Sequence, residues 1–213
     1  MRLLYFADPM CAWCYGFGPE LRKVLAARSD LQLELVMGGL RPLNREPMSD
    51  AFREMLAQHW QQVAQSSGLP LNPRTLVIEG FIYDTEPACR AVVTARSIDP
   101  SKAFAYYSAV QGAFYRDAAD VTREETLAAL ARDAGYDESL FAATLVTEPA
   151  RRVTQHDFET SQRLGVGGFP TVAVAYDANL YLVTSGFVTA DVFQERLEEI
   201  DRRVKLAAGG PAP

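Results

Sequence analysis

The chain has 213 residues, 48% of them hydrophobic and 23% charged, with a formal net charge of −6, an ordinary composition for a folded globular protein. The acidic balance leaves no basic stripe to neutralise phosphates, which excludes nucleic acid as an expected partner. No apolar run approaches the roughly 18 residues of a bilayer-spanning helix, so no membrane association is expected.

Residues Arg2 to Ala7 form a short apolar run with aromatic content, read as a buried strand. Arg2 is the only charge ahead of its apolar positions, the apolar stretch is short and Asp8-Pro9 follows at once, a pattern unlike a secretory leader. The expected location is therefore cytoplasmic. There a structural disulfide tends to be reduced, and paired cysteines read as catalytic or metal-binding. Asp8-Pro9 breaks the strand, and Cys11-Ala12-Trp13-Cys14 comes next. Leu21, Val24 and Leu25 recur at helical spacing, with Arg22, Lys23 and Arg28 on the other side. A kink is expected near Gly18-Pro19. Leu31 to Val36 alternates as a second strand, parallel to the first. The opening is thus strand, Cys-x-x-Cys, helix, strand, which reads as a thioredoxin-like redox motif. The first turn of a helix has unpaired backbone N–H groups and a positive dipole end, so a thiolate placed there is stabilised. The second cysteine lies one turn on and can close a small, readily broken disulfide.

Gly38-Gly39-Leu40-Arg41-Pro42 ends the second strand in a loop. From Ser49 to about Leu145 the pattern reads as helical throughout. Phe52, Met55, Leu56, Trp60 and Val63 share one face of the first helix. Pro87 to Ala95 is the next, and the aromatic-rich Lys102 to Arg116 another. Thr122 is expected to cap a further helix with Glu125 as capping-box partner, and Asp137 begins one more. Pro149 interrupts, and Arg151 to Leu164 resumes as helix. Thr171 to Tyr176 and Leu180 to Thr184 form a β-hairpin around Asp177-Ala178-Asn179. Thr189 caps a closing helix, and Ala207 to Pro213 is read as a flexible tail.

The order is β, α, β, helical block, α, β, β, α. Removing the block leaves a thioredoxin core. The expected fold is therefore α/β, thioredoxin-like. Residues 1–48 and 146–206 form one discontinuous domain, residues 49–145 an inserted all-helical domain beside the cysteines, and residues 207–213 the tail. In such a core, Gly168-Phe169-Pro170-Thr171 takes the place of a cis-proline segment facing the cysteine pair. X-Pro is the one linkage where cis is inexpensive. Pro170 offers no N–H, and the Phe169 backbone can pair with an extended substrate.

The remaining candidates are weaker. Zinc would need two ligands beyond Cys11 and Cys14, and only Cys89, His59 and His156 remain, scattered without ligand spacing. No metal site is expected. Cys89 lies beside Ala88 and Val92 on an apolar helical face and reads as a core cysteine, a regulatory thiol being the alternative. His59 and His156 read as surface or capping residues, with His156 retained as a residue that could face the site. The aromatic cluster from Phe104 to Tyr115 reads as helix packing.

Four segments carry a family resemblance: Asp8 to Phe17, Met37 to Pro42, Thr85 to Ala91, and Gly168 to Thr171. Together they span nearly the whole chain and resemble the DsbA-like thioredoxin family, most closely its FrnE-type branch. The resemblance implies a thioredoxin domain with an inserted helical domain and thiol–disulfide oxidoreductase activity on protein or small-molecule thiols and disulfides. It implies Cys11 as attacking thiol, the more exposed of the pair, and Cys14 as buried resolving thiol. Trp13, Phe169, Pro170 and Thr171 are the expected substrate contacts. No bound cofactor is expected, with glutathione a candidate co-substrate, and the chain is expected as a monomer or homodimer. Relatives that use glutathione, the kappa-class transferases and 2-hydroxychromene-2-carboxylate isomerases, usually keep a serine or a single thiol. They supply the alternative reading of a glutathione-dependent isomerase or transferase. A partner-binding or chaperone-like module with vestigial cysteines is a third. The Ala-Trp dipeptide lacks the histidine of periplasmic DsbA, so the couple is expected to be less oxidising than DsbA at about −120 mV.

Overall fold

The computed structural model describes residues 1–207. Four strands form one sheet in the order β2-β1-β3-β4: β1 Arg2–Ala7, β2 Gln32–Met37, β3 Thr171–Tyr176 and β4 Asn179–Ser185. β2 pairs parallel to β1, and β3 pairs antiparallel to it. β1 is central and buried on both faces, which explains why it reads as a continuous apolar run, whereas the start of β4 is exposed. Leu3, Tyr5 and Ala7 point to the main core, whereas Leu4 and Phe6 point to a smaller cluster with Val36 and Ala173.

The described residues also form eight α-helices: α1 Ala12–Ala27, α2 Asp50–Ser67, α3 Glu86–Ile98, α4 Ala103–Tyr115, α5 Glu124–Asp133, α6 Glu138–Leu145, α7 Glu148–Arg163 and α8 Ala190–Ala207. Helix α1 packs against α2, α4 and α8, and α7 packs on β2 and α3. Of the helices between β2 and α7, α2 and α4 therefore sit directly against the helix that begins at the cysteine pair. The close approach of α2 depends on Gly16, where a Cβ would come within 2.9 Å of Val63 Cγ1. A second tie crosses from sheet to helices, where the Tyr5 and Tyr107 hydroxyls lie 3.3 Å apart. A third is ionic. Arg96 of α3 makes bonds of 2.9 and 3.0 Å to the two carboxylate oxygens of Asp157 on α7, and Asp157 also accepts the Met37 N–H at 2.9 Å.

Several local expectations are corrected. The chain between α2 and α3 is not helical throughout. It contains a short 3-10 turn, Pro73–Val77, and then an irregular stretch that buries Phe81 and Tyr83 in the core. Their aromatic packing replaces helical hydrogen bonding as the reason the segment is ordered. Thr122 does not cap α5, because its hydroxyl and N–H both turn to Asp120 and Arg123 takes the cap position. Pro149 does not interrupt a helix but lies in the first turn of α7, where a missing N–H costs nothing. Pro19 lies inside an unbroken α1. Ala207 belongs to α8 rather than to a tail, and residues 208–213 lie outside the described residues.

Candidate active site

The sheet register assembles the site. Phe6 pairs with Thr171 and Tyr5 with Val172, so the end of β1 lies beside the start of β3. The loop leaving β1 and the Phe169–Pro170 segment entering β3 are thereby neighbours, although 158 positions separate Cys11 from Phe169. Cys11 is the N-cap residue of α1, with an extended backbone and no side-chain capping bond. Its Sγ instead donates to the Phe169 carbonyl oxygen at 3.5 Å. The Phe169–Pro170 peptide bond is cis. Cys14 follows within the first turn of the helix, and its side chain is fully enclosed.

Both sulfurs are buried, Cys11 with 5% of its surface exposed and Cys14 with none. Cys11 is the outer of the two, but it too is buried rather than on the surface. Burial, and then the neighbouring Cys11, push the Cys14 thiol well above the ordinary cysteine range. The inner sulfur is accordingly favoured in its protonated form.

The other expected contact residues are distributed unevenly. Trp13 is half-buried with its ring 6.0 Å from that of Phe187. Phe169 is half-buried and Pro170 buried. Thr171 is also buried, and its hydroxyl donates to the Gly168 carbonyl at 2.8 Å, so it braces the turn before β3. His59 and His156 are exposed on α2 and α7, away from the sulfur pair. Cys89 is buried as expected, but not on a purely apolar face: its Sγ donates to Asp8 Oδ2 at 3.4 Å.

Asp8 is the residue that sequence reasoning passed over, taking it only as half of a strand-breaking Asp-Pro pair. It is fully buried three positions before Cys11. It accepts the Met10 N–H at 2.8 Å and the Leu40 N–H at 2.7 Å, binding the cysteine loop to the loop after β2. Gly39 adopts a φ of 69°, a left-handed turn that favours glycine and that brings Leu40 back toward Asp8. Burial pushes the Asp8 carboxyl up, and the two N–H groups pull it back. Tyr83 braces the same loop from the helical side, its hydroxyl donating to the Met10 carbonyl oxygen. No local pattern marked Asp8: an acid that ends a strand can be exposed or buried, and its distant partners Leu40 and Cys89 converge on it only in the fold.

No cluster of metal-ligating side chains occurs among the described residues. The arrangement can carry out one kind of chemistry well. An outer thiol at a helix start, a second thiol behind it and an exchange surface at a cis X-Pro segment suit attack on a sulfur–sulfur bond.

Residues 2–198 match the DSBA-like thioredoxin domain family, and the chain belongs to it. Among solved structures, a candidate protein disulfide isomerase from Nitrosomonas europaea is 34% identical, with a TM-score of 0.89 over 95% of this chain and 98% of that one. The cytosolic disulfide reductase DsbM from Pseudomonas aeruginosa, solved with GSH, is 26% identical, with a TM-score of 0.76 over 95% of this chain and 100% of that one. A curated relative is the ClpXP adapter protein SpxH of Halalkalibacterium halodurans, 25% identical over 80% of this chain. The chain spans only 57% of that relative's length.

Proposed function

We propose that this protein exchanges disulfides through Cys11 and Cys14. In the reductive direction the Cys11 thiolate attacks one sulfur of a substrate disulfide, the substrate S–S bond breaks, and the departing thiolate takes up a proton. Cys14, having lost its proton, then attacks Cys11 in the mixed disulfide. The second substrate thiolate leaves and a Cys11–Cys14 bond remains. Two electrons pass from the enzyme dithiol to the substrate. The oxidative direction is the same sequence reversed.

The observation that carries this reading is the 3.5 Å approach of Cys11 Sγ to the Phe169 carbonyl, with Cys14 enclosed directly behind it. That geometry gives the pair two separate roles. Trp13 and the Phe169 backbone would hold the substrate beside Cys11, with Pro170 fixing the turn. The retained inner thiol favours exchange over the isomerase or transferase alternative, which needs one thiol or none. The likeness to the Pseudomonas reductase supports a cytoplasmic setting and glutathione as co-substrate. An insulin-reduction assay run beside a glutathione-conjugation assay tests the reading. We expect catalysed insulin reduction that disappears in Cys11→Ser. Conjugation activity that survives Cys14→Ser, with no insulin reduction in the wild type, would overturn it.

A further inference from the structure

We propose that the Tyr5 hydroxyl is the hydrogen-bond donor to the Cys14 sulfur at the resolving step, held for that task by Tyr107 and Gln111 behind it. The proposal rests on the exchange reading of Cys11 and Cys14. It concerns the second half of that reaction, in which Cys14 attacks as a thiolate.

The loop around Cys14 provides poorly for such an anion. Cys14 has no exposed surface. Burial and then the Cys11 sulfur disfavour its charged form, the Asp8 carboxylate adds to them, and a backbone bond at Asp8 opposes them. An enclosed anion needs a fixed donor, because water does not reach it.

β1 supplies one. Tyr5 points into the main core together with Cys14 and Phe17. Phe17 lies one turn after Cys14 on the same face of α1, and its ring is 5.9 Å from that of Tyr5. Burial raises the Tyr5 hydroxyl well above the ordinary tyrosine range, the Cys14 charge is the next cause, and a hydrogen bond with Cys14 is among the others.

A count of hydrogens leaves Tyr5 one to give. Gln111 Nε2 donates to the Tyr107 hydroxyl at 2.9 Å, and the Tyr107 and Tyr5 hydroxyls lie 3.3 Å apart. Two hydroxyls bring two hydrogens to that single contact, and no further oxygen among the described residues accepts from either. With Gln111 donating to Tyr107 and Tyr107 to Tyr5, the unspent hydrogen belongs to Tyr5. It turns to Cys14 when that sulfur becomes charged. The chain is neutral, so it offers the thiolate a charge-assisted bond without burying a further charge. The backing donors polarise the Tyr5 hydroxyl. Neither tyrosine gives up its proton, since burial raises both well above the ordinary range. The proton of Cys14 passes to the first departing substrate thiolate. The Cys14 sulfur then forms its bond to Cys11 and displaces the second.

Reduced full-length protein mixed with dithiobis(nitrobenzoate) in a stopped-flow instrument tests this. Attack by Cys11 releases one thionitrobenzoate, and attack by Cys14 on the mixed disulfide releases the other, so the two steps appear as two phases of absorbance. Tyr5→Phe keeps the ring and removes the donor. Its second phase should slow about tenfold or more, as for loss of a hydrogen bond to a charged group, with the first phase changed less than about twofold. The second phase should also reach half its maximal rate at higher pH, which a merely displaced side chain would not produce. The titratable groups facing Cys14 are Cys11, Asp8, Tyr5 and Tyr107, and Tyr5 is the one this variant removes. Tyr107→Phe should show the same pattern more weakly, because Tyr107 acts through Tyr5. An unchanged second phase in Tyr5→Phe, or in Tyr107→Phe should the first variant not fold, overturns the proposal. Equal slowing of both phases, or a slowed second phase with an unmoved pH profile, overturns it as well. A wild-type protein that shows no second phase overturns the exchange reading instead, which separates the two failures.

Discussion

Two regions of this molecule hold a fully buried thiol, and they differ in what each sulfur faces. Cys14 sits in the first turn of α1 behind Cys11. Cys89 sits in α3 against the Asp8 carboxylate. Burial is the first cause that pushes each thiol well above the ordinary range. The second cause separates them. For Cys14 it is another thiol, whose charge and bonding change during exchange. For Cys89 it is a buried carboxylate, beside which a thiolate is disfavoured. Enclosure alone therefore does not identify a redox sulfur, whereas a chemically variable neighbour does. The strongest break in this comparison would come from Cys11→Ser. We expect complete loss of catalysed exchange, measured as insulin reduction with dithiothreitol. Cys14→Ser should leave the first attack intact and accumulate the mixed disulfide, visible as a mass increase of the intact protein after one turnover. If Cys14→Ser turned over normally, the inner sulfur would have no distinct role.

The next effect concerns the packing beneath the Cys11–Phe169 contact. A Cβ on Gly38 would fall 2.0 Å from Cε1 and Cζ of the Phe169 ring, closer than any real contact. The ring must move, and the expected consequence is a shift of the Phe169 backbone that accepts from Cys11. Gly38→Ala should slow exchange about tenfold or more, since a displacement of about 1 Å at a reacting centre can cost that much. Its thermal midpoint should change less than its rate. Unaltered exchange kinetics in a folded Gly38→Ala protein would show that Phe169 does not set the position of the outer sulfur.

These two regions were also unequally legible in the sequence. The cysteine pair announced itself through spacing, a preceding apolar strand and a downstream Gly-Phe-Pro. All of these are local patterns, and the β1–β3 register then brings them together. The Asp8 region left no such trace. Its partners Leu40 and Cys89 come from two distant segments, and only the folded chain shows that they converge. The same limit explains the misread stretch between α2 and α3. Phe81 and Tyr83 are ordered by rings from α2 and α4, namely Phe52 and Phe114, and no periodicity encodes that. The capping error at Thr122 has the opposite origin. The local motif was real, but Asp120 competed for the same hydroxyl and N–H two residues away.

The smaller predictions probe the Asp8 region as structure rather than chemistry. Asp8→Ala leaves the Met10 and Leu40 N–H groups buried without an acceptor, a cost of about 2–4 kcal/mol. Urea unfolding should show that loss. A stable Asp8→Ala protein would mean that water or the backbone replaces the carboxylate.

Cys89→Ala should cost less, about 1–2 kcal/mol, for a small cavity and one weak sulfur donor. Its more telling consequence is in the pH dependence. The Asp8 carboxyl is raised in the folded state, so folding takes up a proton between its unfolded and folded values. Asp8 therefore favours the native state most below the ordinary carboxylate range, and this contribution is lost as pH rises through the raised value. Cys89 is one of the donors that hold the carboxyl down. Removing it should raise Asp8 further and widen the loss. The destabilisation by Cys89→Ala should thus be smaller at about pH 4 than at about pH 7, read from urea midpoints at both values. Catalysed exchange in the same variant should match wild type. A variant equally destabilised at both pH values would uncouple Cys89 from Asp8, and one that lost exchange would join the two buried sulfurs in a single machine.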